Sequence, residues 1–306
     1  MSHSVGEHGL GPHVVGQRVV VRQVLRGETG PSGGPALTDT LGVCMSWAEG
    51  ACVVQREDGT TVTIAIADIV SGKPVPPRPP TRHRVSPAAA QRRALALWPD
   101  LHTEALGDWV LRHSPTSGAR RANSALAVGP SGVAGDYDAV VAFYAERTGR
   151  PIAAVLPDSE EDALFRAHGW GPESGDADTL FQIAGVATVR RALRSHQTQA
   201  PRRARPPVEL DEDGDLVTVR IGDRASGVAA YADDWIGFRG LEVDPAYRRQ
   251  GLALAVMAEL LDWGAERGAT TAYLQVLADN APAIGLYDRL GFTTHHGYRY
   301  LAPSPA

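Results

Sequence analysis

Two stretches dense in proline set the outer limits of every regular element in this chain. They are Lys73-Pro74-Val75-Pro76-Pro77-Arg78-Pro79-Pro80 and Pro201-Arg202-Arg203-Ala204-Arg205-Pro206-Pro207. Proline fixes φ and carries no amide donor, so neither stretch can run through a helix interior or a central strand. Extended, solvated linkers are expected there. They divide the 306 residues into a flexible tail 1–13, a piece 14–73, a linker 74–86, a piece 87–197, a linker 198–207 and a piece 208–306. No run of about 18 apolar residues interrupts this pattern, so no membrane span is expected. The opening Met1-Ser2-His3-Ser4-Val5-Gly6-Glu7-His8 has neither the basic start nor the apolar run of a secretory signal. A net charge of -5 argues against a globally basic nucleic-acid binder while leaving a local basic patch open. Cys44 and Cys52 are the only cysteines. Two thiols build neither a disulfide framework nor a four-thiolate zinc site, so a reduced, cytoplasmic protein without a metal is expected.

The first piece reads as all-β. Segments Gln17–Val24, Leu41–Trp47, Ala51–Val54 and Thr60–Ile66 alternate or are rich in β-branched residues, and Glu57-Asp58-Gly59 suits a hairpin turn. Several short strands within about 60 residues predict a small β-barrel. Cys44 and Cys52 fall within the strands, where buried, inert thiols are expected.

The third piece reads as mixed α/β. Strands are expected at Leu216–Ile221, Gly227–Tyr231, Ile236–Val243, Thr270–Leu277 and Phe292–Leu301. Leu252, Val256, Leu260 and Trp263 form one stripe of a helix stopped by Gly268. Asn280 caps a shorter helix whose Ile284, Tyr287 and Leu290 share a face, ended by Gly291. The second piece echoes it. A helix over Ala139–Thr148 leads to a strand Ile152–Leu156, and a further helix ends in His168-Gly169-Trp170, much as the later one ends in Leu290-Gly291-Phe292. The repetition suggests a diverged internal duplication.

The chemistry lies between the strand ending at Val243 and the helix that follows. Arg248-Arg249-Gln250-Gly251-Leu252-Ala253 puts small residues and two cations at a helix start. Free amides and a positive dipole end make such a start a diphosphate cradle. This string, directly after Leu241-Glu242-Val243-Asp244-Pro245, resembles the acetyl-CoA pyrophosphate motif of the GNAT acyltransferase superfamily. Asn280-x-x-Ala283-x-x-x-Tyr287-x-x-x-Gly291-Phe292 resembles that superfamily's last helix, at the usual separation. The resemblance is close over 216–301 and topological over the middle piece. There Gly129-Pro130-Ser131-Gly132-Val133-Ala134-Gly135 takes the cradle's place without an arginine, which marks a degenerate unit that has lost cofactor binding. A Src homology 3-like barrel, a degenerate GNAT-like unit and an intact one resemble a group of actinobacterial acetyltransferases.

The resemblance implies an N-acetyltransferase that moves an acetyl group from acetyl-CoA to an amine by direct attack through a tetrahedral intermediate. It implies that Leu241 and Val243 bind pantetheine through their backbones. Arg248, Arg249, Gln250, Gly251, Leu252 and Ala253 would hold the diphosphate, and Asn280 and Ala283 would contact the cofactor. Tyr287 would be the general acid toward the leaving thiolate. The strand position that often carries a basic glutamate is Gln275 here. Glu242 is therefore the candidate base, with Asp233 and Asp234 acting through water, or no dedicated base, as alternatives. The acceptor is an amine-bearing small molecule, peptide or protein. The runner-up is a non-catalytic CoA-binding regulator whose barrel recognises a partner.

Overall fold

Valine and threonine at alternating positions build the N-terminal strands, and their inward faces supply the core. The computed structural model describes residues 9–30, 33–56, 58–75, 81–148, 150–199 and 207–304. The chain divides into two units, Met1–Pro79 and Pro80–Ala306. The first holds β1 (Arg18–Thr29), β2 (Pro35–Ala48), β3 (Ala51–Gln55), β4 (Thr61–Ala65) and β5 (Ile69–Pro74). They pair antiparallel in the order β4-β3-β2-β1-β5. Val19, Val21, Val54 and Ile64 meet Cys44 and Cys52 inside. The pairings stop at β4 and β5, so the described residues form an open five-stranded sheet; the expected barrel closure is not shown. Leu10, within the span expected as a tail, is fully buried in this core, as is Val14. Glu57 lies outside the described residues, whereas Asp58 still closes the β3–β4 turn by accepting from the Thr60 amide at 2.9 Å.

The second unit opens with α1 (Pro87–Arg93), whose Ser86 cap accepts from the Ala89 amide at 3.2 Å. There follow β6 (His102–Leu106), β7 (Trp109–His113), β8 (Ala125–Ala127), α2 (Asp136–Ala145), β9 (Ala153–Val155), α3 (Glu160–Ala167), β10 (Trp170–Pro172), β11 (Asp178–Gly185) and α4 (Val186–Gln199). The second half holds β12 (Val208–Asp213), β13 (Leu216–Ile221), β14 (Ala225–Ala232), β15 (Trp235–Val243), α5 (Leu252–Glu266), β16 (Thr271–Leu277), α6 (Ala281–Arg289) and β17 (Thr293–Pro303). The two halves repeat one device, a parallel strand pair joined through a helix: β8 and β9 through α2, β15 and β16 through α5. A left-handed glycine precedes both helices, Gly135 at φ +72 and Gly251 at φ +78.

All these strands form one sheet ordered β12-β13-β14-β15-β16-β11-β17-β9-β8-β7-β6, with β10 also on β17. The halves exchange strands. β11, from the first, lies between β16 and β17, setting Phe181 opposite both Gln275 and His296. β17, from the second, pairs through Arg299–Leu301 with β9. Spans 87–197 and 208–306 thus alternate within a single sheet. On one face, α4 and α5 bury Val189, Leu193, Val256 and Leu260 against Val217, Val219, Ile236 and Leu274. On the other, Ala90 of α1 and Ala94 just after it cover Phe181, Ile183, Trp235 and Tyr273. Among the described residues, no helix is long and apolar enough to cross a membrane.

Candidate active site

The strands β15 and β16 run parallel for only four pairs, from Trp235–Thr271 to Phe238–Leu274. The β14–β15 register then shifts between Val228–Arg239 and Ser226–Glu242, where Gly240 takes φ +57. A bulge there bends β15 away from its neighbour, leaving the edge of residues 239–243 without a strand partner. Leu241, Glu242, Val243, Asp244, Pro245 and Arg248 line an open cleft along this segment, about 470 Å³ in volume. Leu241 and Val243 turn inward to the core under α5. Side chains alternate along a strand, so exposed Glu242 faces away from α5.

The connection from β15 to α5 is tightly specified. Asp244 accepts from the Ala246 amide at 2.8 Å, capping the 3-10 turn Pro245–Tyr247, and the Arg224 guanidinium lies 4.6 Å over the Tyr247 ring. Arg248 leaves the turn extended, and Arg249 adopts φ +61, a left-handed conformation costly for a residue with a side chain. Gly251 then begins α5 with no side-chain cap and no acidic residue in the first turn. A Cβ on Gly251 would meet nothing within 4 Å, so open space lies before those amides. Arg248, Arg249 and Gln250 are exposed, Ala253 is half-buried and Leu252 is buried, so Leu252 has only its backbone to offer a ligand.

Helix α6 packs Ala283, Ile284 and Tyr287 on the same core. The Asn280 carbonyl oxygen caps it, accepting from the Ala283 amide at 3.2 Å, while its amide nitrogen has no partner among the described residues. The Tyr287 ring meets Phe292 edge-on at 5.9 Å. Its hydroxyl makes no hydrogen bond to the described residues, and burial pushes its pKa up, so it stays protonated at neutral pH. Asp233 and Asp234 are not beside the parted strands. They form the β14–β15 turn at the far end of β15, roughly 16 Å of strand from residue 239 at ~3.3 Å per residue. Asp233 faces Arg93 at 3.8 Å, and Asp234 accepts from the Thr270 hydroxyl at 2.5 Å.

The corresponding place in the first half is lined by carboxylates. Ser131 donates to Asp136 at 2.6 Å, and Asp136 and Asp138 occupy the first turn of α2. Glu160 and Glu161 line the same cleft of about 470 Å³. Carboxylates already satisfy this helix start and repel further negative charge. The thiols are inert: Cys44 and Cys52 are fully buried 3.8 Å apart, and burial pushes the Cys52 thiol up to about 12.

Residues that the sequence pattern did not single out lie opposite α5. Tyr298 donates to the Gln275 side-chain oxygen and accepts from Arg121 at 3.4 Å. His295 donates from Nε2 to the Val85 carbonyl at 2.8 Å, so the 2.7 Å contact of the two Nδ1 atoms makes His296 the donor. His296 Nε2 then accepts from Gln91 at 3.0 Å, and both rings are neutral. Burial, reinforced by His295, pushes His296 from 6.5 down to about 3. Below pH 6.5 the unfolded chain takes up a proton that the folded chain refuses, so stability present above that pH is lost as pH falls toward 3. At pH 5 the loss is about 2 kcal/mol. Denaturant melts at pH 7.5 and 5 check this: His296→Gln is expected to lose about that much less than the parent chain. Equal losses would refute the assignment.

A family model described as "Probable histone acetyltransferase Rv0428c C-terminal" matches residues 88–301. The chain belongs to this acetyltransferase family. One relative, the "Probable histone acetyltransferase Rv0428c" of Mycobacterium tuberculosis, is 29% identical over 280 residues, covering 87% of this chain and 89% of that protein. The "[Ribosomal protein bS18]-alanine N-acetyltransferase" of Escherichia coli is 50% identical over 52 residues, which span 17% of this chain and 35% of that protein. A solved structure, the "GCN5-related N-acetyltransferase from Kribbella flavida", superposes with a TM-score of 0.51 at 17% identity, covering 75% of this chain and 98% of that one. At that identity the likeness concerns the fold. Together these matches make the chain a member of an acetyltransferase family, an acyltransferase class, whose mixed α/β sheet has a GNAT-like fold.

Proposed function

We propose that the chain transfers an acetyl group from acetyl-CoA to an amine acceptor, using the cleft along the end of β15 where it has parted from β16. The observation that carries this is the uncapped, unobstructed start of α5 beside Arg248 and Arg249. The residues present fit the cosubstrate: two cations and a first turn free of acidic side chains suit a diphosphate, and the open β15 edge at Leu241–Val243 suits an added strand of amides. When bound, acetyl-CoA supplies the acyl group as an activated thioester. Arg248, Arg249 and the amides of Gly251, Leu252 and Ala253 anchor the diphosphate, with the exposed Gln250 and the Asn280 amide nitrogen as further polar contacts. Ala283 keeps the neighbouring turn of α6 slim.

Tyr287 holds the proton for the departing sulfur. Its Phe substitution is expected to lower kcat about 10²-fold or more while changing acetyl-CoA affinity less than about threefold. Thiol release and calorimetry measure the two quantities, and undiminished turnover would remove the acid role. Of the carboxylates lining the cleft, Asp244 is committed to its turn. Glu242 is therefore the proposed base, on the face opposite α5, where an amine has access.

The two relatives' names point to a histone and to an alanine of a ribosomal protein, and each supplies an amine. One observation favours a second reading, a CoA-binding protein without catalysis: Gln275 cannot take a proton, and its amide is held by Tyr298. Acetyl-CoA binding without thiol release across a panel of amines would establish that reading; release with any amine establishes transfer.

A further inference from the structure

We propose that Arg121 forms an anion subsite for the acceptor, so that the amine acetylated by this chain carries an oxyanion, a carboxylate or a phosphate. The inference rests on the acetyl-transfer reading above and adds the substrate's second functional group.

Arg120 and Arg121 are neighbours with opposite fates. Arg120 donates to Glu173 at 2.9 Å, Ser174 at 2.7 Å and Asp176 at 3.1 Å, and reaches the Asp176 carbonyl at 2.6 Å. It also lies 4.8 Å over the Tyr300 ring. Arg121 is half-buried, and its sole hydrogen bond among the described residues runs from Nε to the Tyr298 hydroxyl at 3.4 Å. Its two terminal nitrogens have no partner there, and no described carboxylate lies within 4.0 Å of it. Asp176 is already taken by Arg120. Its fork, half-buried and paired with no described carboxylate, matches the two oxygens of a carboxylate or phosphate.

Position decides what the fork is for. Arg121 reaches Tyr298, and Tyr298 reaches Gln275, one residue beyond the last β15–β16 pair. Gln275 shares its face with Tyr273, which α1 covers, whereas Leu274 points to α5. The cation thus lies about 6 Å from Gln275, two hydrogen bonds away, on the face that the α5 cradle leaves to the acceptor. An amine entering there with a short anionic arm sets that arm against Arg121. The same charge repels a peptide dense in lysine and arginine.

The test uses the full chain, acetyl-CoA and matched acceptors: glycine, β-alanine and 4-aminobutyrate against their carboxamides, and O-phosphoethanolamine against ethanolamine. At least one anionic member is expected to exceed its neutral twin in kcat/KM by about tenfold, the worth of one charge-assisted pair. The better of the carboxylate and phosphate arms names the source. Arg121→Gln is expected to bring that ratio to about one with acetyl-CoA affinity unchanged. If Arg121→Gln does not fold, Arg121→Lys carries the test: it keeps the charge, loses the fork and is expected to reduce the ratio several-fold. Neutral twins equal or better throughout, or a ratio that survives Arg121→Gln, overturn the subsite. If no amine is acetylated, the activity fails separately, and calorimetry still reads the subsite. N-acetylglycine and N-acetyl-O-phosphoethanolamine are titrated into the CoA-saturated chain against their neutral counterparts. Preferential binding of an anion, lost in Arg121→Gln, supports the subsite; equal binding, or none, overturns it.

Discussion

Replacing Gly251 with alanine is expected to weaken acetyl-CoA binding by about tenfold or more while costing only about 1 kcal/mol of stability. The two effects have separate causes. Gly251 sits at φ +78, where any L side chain is strained, but a Cβ there touches no atom of the protein within 4 Å. The fold therefore bears only the backbone strain. A diphosphate gripped by the first amides of α5 has to approach that same space, and the added methyl stands in it. Gly135 is the internal control. It begins α2 at φ +72, also with nothing within 4 Å of a Cβ, so Gly135→Ala carries the same strain. Its helix start is already answered by Asp136, so its loss is expected to leave acetyl-CoA affinity unchanged. Calorimetry on both variants, with melts alongside, reads the contrast. Undiminished binding by Gly251→Ala would dismantle the cradle, and equal losses in the two variants would assign both effects to stability.

The elements around this cradle are legible because their signals are local. The stripe Leu252, Val256, Leu260 and Trp263 needs only helical periodicity, and all four are buried. Asn280 caps the helix it was expected to cap. What the chain does not encode locally is pairing between distant strands. β11 inserts between β16 and β17 because the edges there are complementary, a property no window around Asp178–Gly185 displays. β12 reads as a polar run and is exposed along its whole length, so the burial signal that marks a strand is missing. Asp233 and Asp234 show a different limit. They are close in sequence to the parted segment of β15, yet strand direction sets them at its other end. Arg121 gave no signal at all, because its meaning comes from Tyr298, 177 positions away.

The exchange of strands sets the second large expectation. Residues 207–306 produced alone are expected to aggregate or remain unfolded, whereas a chain cut within 200–206 stays a single particle that binds acetyl-CoA within about twofold of the uncut protein. Removing the first half takes β11 from β16 and both β11 and β9 from β17, leaving three hydrogen-bonding edges bare. It also removes Phe181, Ile183, Val186, Val189 and Leu193, all buried, two of them against α1's face and three against the core of α5. At roughly 2 kcal/mol for each such side chain, the loss is about 10 kcal/mol, as large as the whole stability of an ordinary domain. A protease site placed within 200–206 tests this: the two fragments are expected to co-elute after cleavage and to separate only in denaturant. A second half that folds and binds acetyl-CoA by itself would show that the exchanged strands are dispensable. The first half is retained, on this argument, because it completes the sheet that holds the cleft open: β11 fixes the far edge of β16, and β16 must stand firm for β15 to bend away from it.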